Sequence, residues 1–145
     1  MRLDRVMVAL KGGQGEEEAV RLACDVVEPA KGTIYVLHVI EVGREHPVDM
    51  EDREATSQGE EVLQRAERLI RGQNRQVKAE LLQARDVGPA VVREGIDKGV
   101  ELIILSLPYK RRYGVFSLGS VVPYILNHAS CRVVVLREAM LVPVQ

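Results

Sequence analysis

The sequence predicts a doubly wound α/β fold with a five-stranded parallel sheet, and three observations predict it. Apolar runs rich in Val, Ile and Leu lie at 101–107 and 131–137, with similar runs at 3–10 and 32–41, as expected for strands covered by helices on both faces. Segments with helical spacing of apolar residues separate the strands, so five strands alternate with four helices along the 145 residues. Such alternation demands a parallel sheet with right-handed crossovers. The third observation is punctuation: Lys-Gly-Gly-Gln-Gly at 11–15, Pro29 and Gly72 stand where one segment ends and the next begins.

Each element has its own warrant. Residues 3–10 end in an apolar run that suits a central strand, broken at 11–15 by Lys-Gly-Gly-Gln-Gly. Residues 16–28 place Ala19, Val20, Ala23, Cys24, Val26 and Val27 at helical spacing, with Pro29 as the stop. A second strand spans 32–41 and contains His38, read as a hydrogen-bonded structural group. After a polar loop at 42–50, residues 51–71 form a long helix with an apolar face at Val62, Leu63, Ala66, Leu69 and Ile70, and Gly72 stands where a C-terminal cap belongs. Residues 76–84 alternate Val77, Ala79 and Leu81 with Lys78, Glu80 and Gln83, the pattern of a half-covered edge strand. Asp86 or Gly88 can cap, and Pro89 start, a third helix that runs through Val91, Val92 and Ile96 to Gly99. The fourth strand, 101–108, leads into a basic loop, and Pro123 sets the start of the last helix. Because proline is tolerated only in a first turn, that helix begins near Gly119 or Ser120. The fifth strand is 131–137.

Composition narrows the function. One domain over 1–145 is the simplest organisation, and a chain of this length buries roughly 68–70% of its unfolded surface. The net charge of -1 hides an asymmetry: residues 102–145 hold five Lys or Arg against one acid, and residues 1–101 hold fifteen against twenty. This favours one small anionic ligand over a nucleic-acid surface. One Phe, four Tyr and no Trp are too few for a base-stacking platform. Cys24 and Cys131 are far apart without metal-ligand spacing and read as buried free thiols. No apolar run approaches the ~18 residues of a membrane span and no signal peptide precedes the first strand, so a cytoplasmic protein without direct membrane insertion is expected.

The organising stretch is 101–137. Lys110, Arg111 and Arg112 lie ahead of a Gly119-Ser120 pair that opens a helix, and free N–H groups at a helix start make an anion site. If the first and fourth strands are neighbours where strand order reverses, Lys11, the loop 106–118 and the N–H groups of Gly119, Ser120 and Val121 converge on one crevice. A dinucleotide fingerprint fails on spacing. Gly13-Gln14-Gly15-Glu16-Glu17-Glu18 lacks the third glycine and crowds the first turn with carboxylates that repel a pyrophosphate. No Ser-His-Asp pairing, paired carboxylates or metal cluster is legible, so neither an enzyme nor a metal site is expected.

Four features carry a family resemblance: His38-Val39-Ile40 ending the second strand, Val87-Gly88-Pro89-Ala90 opening the third helix, Glu101-Leu102-Ile103-Ile104 in the fourth strand, and the run from Leu118 to Arg137. Across essentially its whole length the chain resembles the universal stress protein family. The resemblance implies strand order 3-2-1-4-5, adenine nucleotide alpha hydrolase-like, and a homodimer through the last strand, Cys131 to Arg137. It also implies a regulatory domain that binds ATP or another adenine nucleotide. Gly119 and Ser120 would hold phosphates, Val39 would meet adenine through its backbone, and Ala9, Leu10, Leu105 and Ser106 would line the crevice with Lys11 and Val121. The chain departs from the ATP-binding pattern at Lys11, where that branch carries Asp, and at Ser106 and Tyr109, where it has a Gly-x-x-Gly. A side chain in a glycine conformation costs ~1–2 kcal/mol, so two replacements weaken binding by roughly ten- to a thousandfold. Lys110, Arg111 and Arg112 offset this for a more anionic ligand, and Pro108-Tyr109-Lys110-Arg111-Arg112-Tyr113-Gly114 resembles loops in stress-protein domains attached to transporters. The alternative is a dimeric adaptor for a transporter or stress factor with no nucleotide bound.

Overall fold

Strand β1 (Arg5–Ala9) is buried on both faces, with Val6, Met7 and Val8 at most 1% exposed, and the other elements are arranged around it. They come in the order α1 (Glu16–Val26), β2 (Thr33–Glu41), α2 (Arg53–Gly72), β3 (Gln76–Ala84), α3 (Val87–Lys98), β4 (Leu102–Leu107), β5 (Arg111–Arg112), β6 (Val115–Phe116), α4 (Val121–His128) and β7 (Arg132–Arg137). The computed structural model describes residues 1–13, 15–108 and 118–139, and the backbone alone of 111–112 and 115–116.

The main sheet has the order β3-β2-β1-β4-β7, all pairs parallel, which is the 3-2-1-4-5 arrangement with β7 as its fifth strand. The side-chain period of two divides its residues between two cores. Val6, Val8, Ile34, Val36, Leu102 and Ile104 meet Ala19, Val20 and Ala23 of α1 and Leu63, Ala66 and Ile70 of α2. Met7, Leu37, Ile103 and Leu105 face the other way, towards Val91 of α3 and Val122 and Ile125 of α4. Burial on both sides is why these strands read as continuous apolar runs.

Several boundaries differ from the sequence expectation for identifiable reasons. Helix α2 starts at Arg53 because Asp52 is its N-cap, its carboxylate accepting the Ala55 N–H at 3.1 Å. Gly72 is the last helical residue rather than the cap, and the left-handed conformation falls on Asn74 at φ 60°. In α3, Ile96 is 59% exposed: Gly95 faces the sheet, where a Cβ would lie 3.2 Å from Ile103 Cδ1, and this turns Ile96 outwards. Ala79 in β3 is exposed, so the alternation expected of that edge strand is incomplete. The segment read as a basic loop contains a small antiparallel ribbon, Arg111 opposite Phe116 and Arg112 opposite Val115. Two residues including a glycine separate those strands, a hairpin signal that the charge run obscured.

The polar loop 42–50 is tied down by β3. The Gln83 amide donates to the carbonyls of Val48 at 2.9 Å and Met50 at 2.7 Å, and Arg85 donates to the carbonyl of His46 at 2.6 Å. Cys24 is buried and Cys131 half-buried, both free, and burial pushes both thiols up. Among the described residues no helix is long and apolar enough to cross a membrane.

Helix α3 rests on α4 through Gly88, where an added Cβ would lie 2.8 Å from a Tyr124 ring carbon; Gly72 has nothing within 4 Å. Gly88→Val is therefore expected to destabilise by about 1–3 kcal/mol through overpacking, and Gly72→Ala to stabilise by about 0.5–1 kcal/mol. Urea titration checks both, and equal effects of the two changes would contradict this packing.

Glu94 of α3 supplies a pH prediction. Burial first, then a hydrogen bond and repulsion from Glu80, raise its carboxyl above the ordinary 4.5, while Lys98 opposes the shift. Lys98 Nζ lies 3.5 Å from Glu80 and 3.9 Å from Glu94. The native state therefore holds this proton to higher pH than the unfolded chain, and the contribution of Glu94 to stability falls as pH rises from 4.5 through the raised value. Denaturant midpoints measured over that interval should show Glu94→Gln gaining on wild type as pH rises; parallel curves would contradict it.

Candidate functional site

The site lies at the C-terminal ends of β1 and β4, where the connections from adjacent parallel strands depart in opposite directions. The β1 register, Val6 with Leu102 through Ala9 with Leu105, sets the two ends side by side. Helix α1 follows β1 onto one face, and α4 follows β4 onto the other.

Between them is a crevice lined by Ala9, Leu10, Lys11, Val39, Leu105, Ser106 and Val121, seven of the twelve residues expected from sequence. Leu37, Val87, Val91 and Val122 complete it. These four were missed, yet two were within reach of the pattern: Leu37 precedes Val39 by two positions on one strand face, and Val87 precedes Val91 by one helical turn. The crevice encloses about 30 Å³, roughly one water's share of liquid volume and about a tenth of a small ligand pocket. Leu10, Leu105 and Val122 are buried in its walls, Ser106 is half-buried, and Lys11 is exposed at its mouth.

The turn after β1 is held from two sides. Leu10 N–H donates to the Leu37 carbonyl at 2.8 Å, and His38 Nδ1–H donates to the Leu10 carbonyl at 2.8 Å. Gly59 of α2 lies against that imidazole, where a Cβ would be 2.7 Å from Cδ2. His38 is thus the structural group expected, pinning the end of β1. Beyond it the Glu16 carboxylate accepts the N–H groups of Lys11 at 2.7 Å and Gly12 at 2.6 Å. Glu16 can turn back because Gly15, the N-cap of α1, adopts φ 86°, which a side chain disfavours. The backbone donors of this turn already hold a carboxylate of the chain itself.

The other wall ends at the start of α4. Gly119 has φ 69°, and Ser120 is the N-cap without a side-chain cap. Both are exposed and adjoin the crevice without lining it. Val121 is the first helical residue and does line it, and first-turn N–H groups have no intrahelical acceptor. Pro123 sits in this first turn, as the sequence required. His128 at the far end accounts for itself: its Nδ1–H donates to the Tyr124 carbonyl at 2.9 Å, and its ring stacks on Tyr124 with centroids 4.0 Å apart. Of the expected cations, Lys110 lies outside the described residues, as does Tyr109. Arg111 and Arg112 are described as β5 backbone only. Among the described residues no cluster of His, Cys, Asp or Glu could hold a metal ion.

Comparison with known proteins agrees with this architecture. The family model described as "Universal stress protein family" matches residues 2–137. Among solved structures, a universal stress protein from Archaeoglobus fulgidus superposes with a TM-score of 0.76 at 20% identity, covering 90% of this chain and 96% of that one. A structure of the Archaeoglobus fulgidus protein in complex with dAMP gives a TM-score of 0.70 at 20% identity, with 90% and 95% covered. An Arabidopsis thaliana family protein with AMP bound gives 0.70 at 16% identity, with 93% and 92% covered. Among curated proteins nothing matches the chain.

Removing the Glu16 carboxylate leaves the Lys11 and Gly12 donors to water. Glu16→Ala is expected to cost about 1.5–3 kcal/mol, the range for hydrogen bonds to a charged group. Denaturant titration measures it, and a change within about 0.5 kcal/mol, as at an ordinary surface position, would show that the carboxylate does not hold the turn.

Proposed function

We propose, from the premise that the chain belongs to the universal stress protein family, that it is a non-catalytic regulatory domain binding an adenine nucleotide or another phosphorylated ligand at the β1/β4 crevice. The observation that carries this reading is the convergence of Ala9, Leu10, Lys11, Val39, Leu105, Ser106 and Val121 on one crevice at the sheet's switch point. Solved structures of the same fold contain dAMP and AMP, which supports the ligand class. In this reading the first-turn donors of α4, with Gly119 and Ser120, receive phosphate. The Val39 backbone meets the base, and Lys11 with Lys110, Arg111 and Arg112 supplies positive charge. At about 30 Å³ the crevice is a floor on which the ligand rests.

A second reading is favoured by that same small volume and by the Glu16 carboxylate on the β1 turn. Here the crevice stays empty, and the domain is a cytoplasmic dimeric adaptor for a transporter or stress factor. In either reading β7 is the dimer edge: among the described residues it ends the sheet and has one strand neighbour, and it carries half-buried Val133 and Val135. Light scattering should give the mass of a dimer, and a monomeric mass would remove that element.

Calorimetry with AMP, ATP, cyclic AMP and cyclic di-AMP separates the readings. The first expects saturable binding of at least one below about 1 mM. Gly119→Ala, strained only by its positive φ since nothing lies within 4 Å, should weaken binding by about tenfold. Silence from all four ligands would leave the adaptor reading.

A further inference from the structure

Strand β7 ends beside an apolar hollow. On the sheet face that carries α1 and α2, a cavity of about 490 Å³ opens between those helices next to the β1 turn, within the ~300–1,000 Å³ typical of small-molecule sites. Leu10, Val20 and Ala66 are buried in its floor, with half-buried Val62 and Leu69 alongside. The charged residues of its lining, among those described, are Glu16, Glu17 and Arg65. That set is net negative and disfavours an anion, so the apolar floor selects the occupant.

The hollow is bordered by Gly12, Gly13 and Gly15 where it meets the β1 turn. Its edge is bare of side chains at these three positions, and a Cβ built on Gly13 would meet nothing within 4 Å.

The exit of the chain from the sheet decides what can reach that edge. One residue past β7, the Glu138 N–H donates to the Leu107 carbonyl at 2.8 Å, which fixes the exit point. Val134 and Leu136 pack against the core on the α1 side, and the strand period of two puts Glu138 on that same face. A Cβ built on Gly15 would lie 3.9 Å from both Cβ and Cγ of Glu138. Since Gly15 itself lines the hollow, the chain passes the hollow's edge at van der Waals distance.

Ala139 follows, exposed, and residues 140–145 lie beyond the described residues. Their sequence is Met-Leu-Val-Pro-Val-Gln, without a charge in a chain of which 28% is charged. Such a run is poorly suited to a solvated tail and has nothing for Glu16 or Glu17 to repel. Fully extended, it spans up to about 20 Å, roughly twice the separation of two packed helices, so its reach exceeds the distance across the hollow.

We propose that residues 140–145 fold back over Gly12, Gly13 and Gly15 and seat in the hollow between α1 and α2, with Leu141, Val142 and Val144 against Val62, Ala66 and Leu69. The segment is then a strap that ties the end of β7 to α2. It is separate from the β1/β4 crevice and independent of whether a nucleotide binds there.

Methyl-resolved nuclear Overhauser spectra of the intact protein test this. Contacts are expected between the methyl groups of Leu141, Val142 or Val144 and those of Val62 or Leu69, and a sample mixing isotope-labelled with unlabelled chains should place them within one chain. Leu141→Asp puts a charge into the apolar floor beside two carboxylates. It should erase the contacts and shift the amides of residues 12–17 and 62–69 while those of α3 and α4 stay in place. Random-coil shifts throughout 140–145, or contacts of that segment with any other surface of the chain, would overturn the proposal. Contacts that run between chains would overturn it too, since a second copy would then supply the occupant. So would Leu141→Asp leaving the amides of 12–17 and 62–69 unmoved.

Discussion

The parallel pairing of β1 with β4 places the first strand in the middle of the sheet, and that position governs both the core and the site. A strand with neighbours on both edges and helices on both faces must be apolar throughout, and Val6, Met7 and Val8 meet the requirement almost without exposure. Because the chain leaves β1 for one face and β4 for the other, the backbones separate at the strand ends. The gap is a consequence of the crossovers, so a crevice exists there whichever side chains fill it.

The ligands open to that crevice depend on how its two backbone termini are satisfied. On the β1 side the chain supplies its own anion: Glu16, turned back by the left-handed Gly15, takes the Lys11 and Gly12 donors. On the α4 side the first turn begins after Gly119 and Ser120 with no side-chain cap. The two helix starts near the crevice are thus unlike, one carrying three acids and an internal carboxylate, the other no acid in its first turn. An incoming phosphate is repelled from the first and favoured at the second.

The strand order and the crevice were legible because their signals are periodic or stereochemical. Continuous apolar runs marked the buried strands, Pro123 marked the start of α4, and a reversal between the first and fourth strands located the site. Side chains that complete the crevice by packing were less legible. Leu37 and Val91 look like ordinary core in sequence, and only the register of β2 and the approach of α3 bring them to the crevice. Glu16 reads in sequence as an acid favourable to the helix dipole, while its reach back to the turn depends on φ at Gly15, a backbone angle that no residue pattern states. Ile96 has the helical spacing of a core residue relative to Val92, but the close approach of Gly95 to Ile103 rotates the helix and leaves Ile96 outside. The cavity between α1 and α2 is an absence of atoms bounded by three glycines, and sequence shows glycines without showing which of them enclose space.

If the β1/β4 crevice, with its intact α4 end, is where this domain takes a phosphorylated ligand, a residue-resolved amide shift map of the protein titrated with AMP will show it. Saturable shifts are expected at 9–11, Val39, Ser106 and 119–122, with α1 and residues 62–69 unmoved. An unchanged map at about 1 mM AMP, or shifts confined to residues away from the β1 and β4 ends, would contradict that assignment.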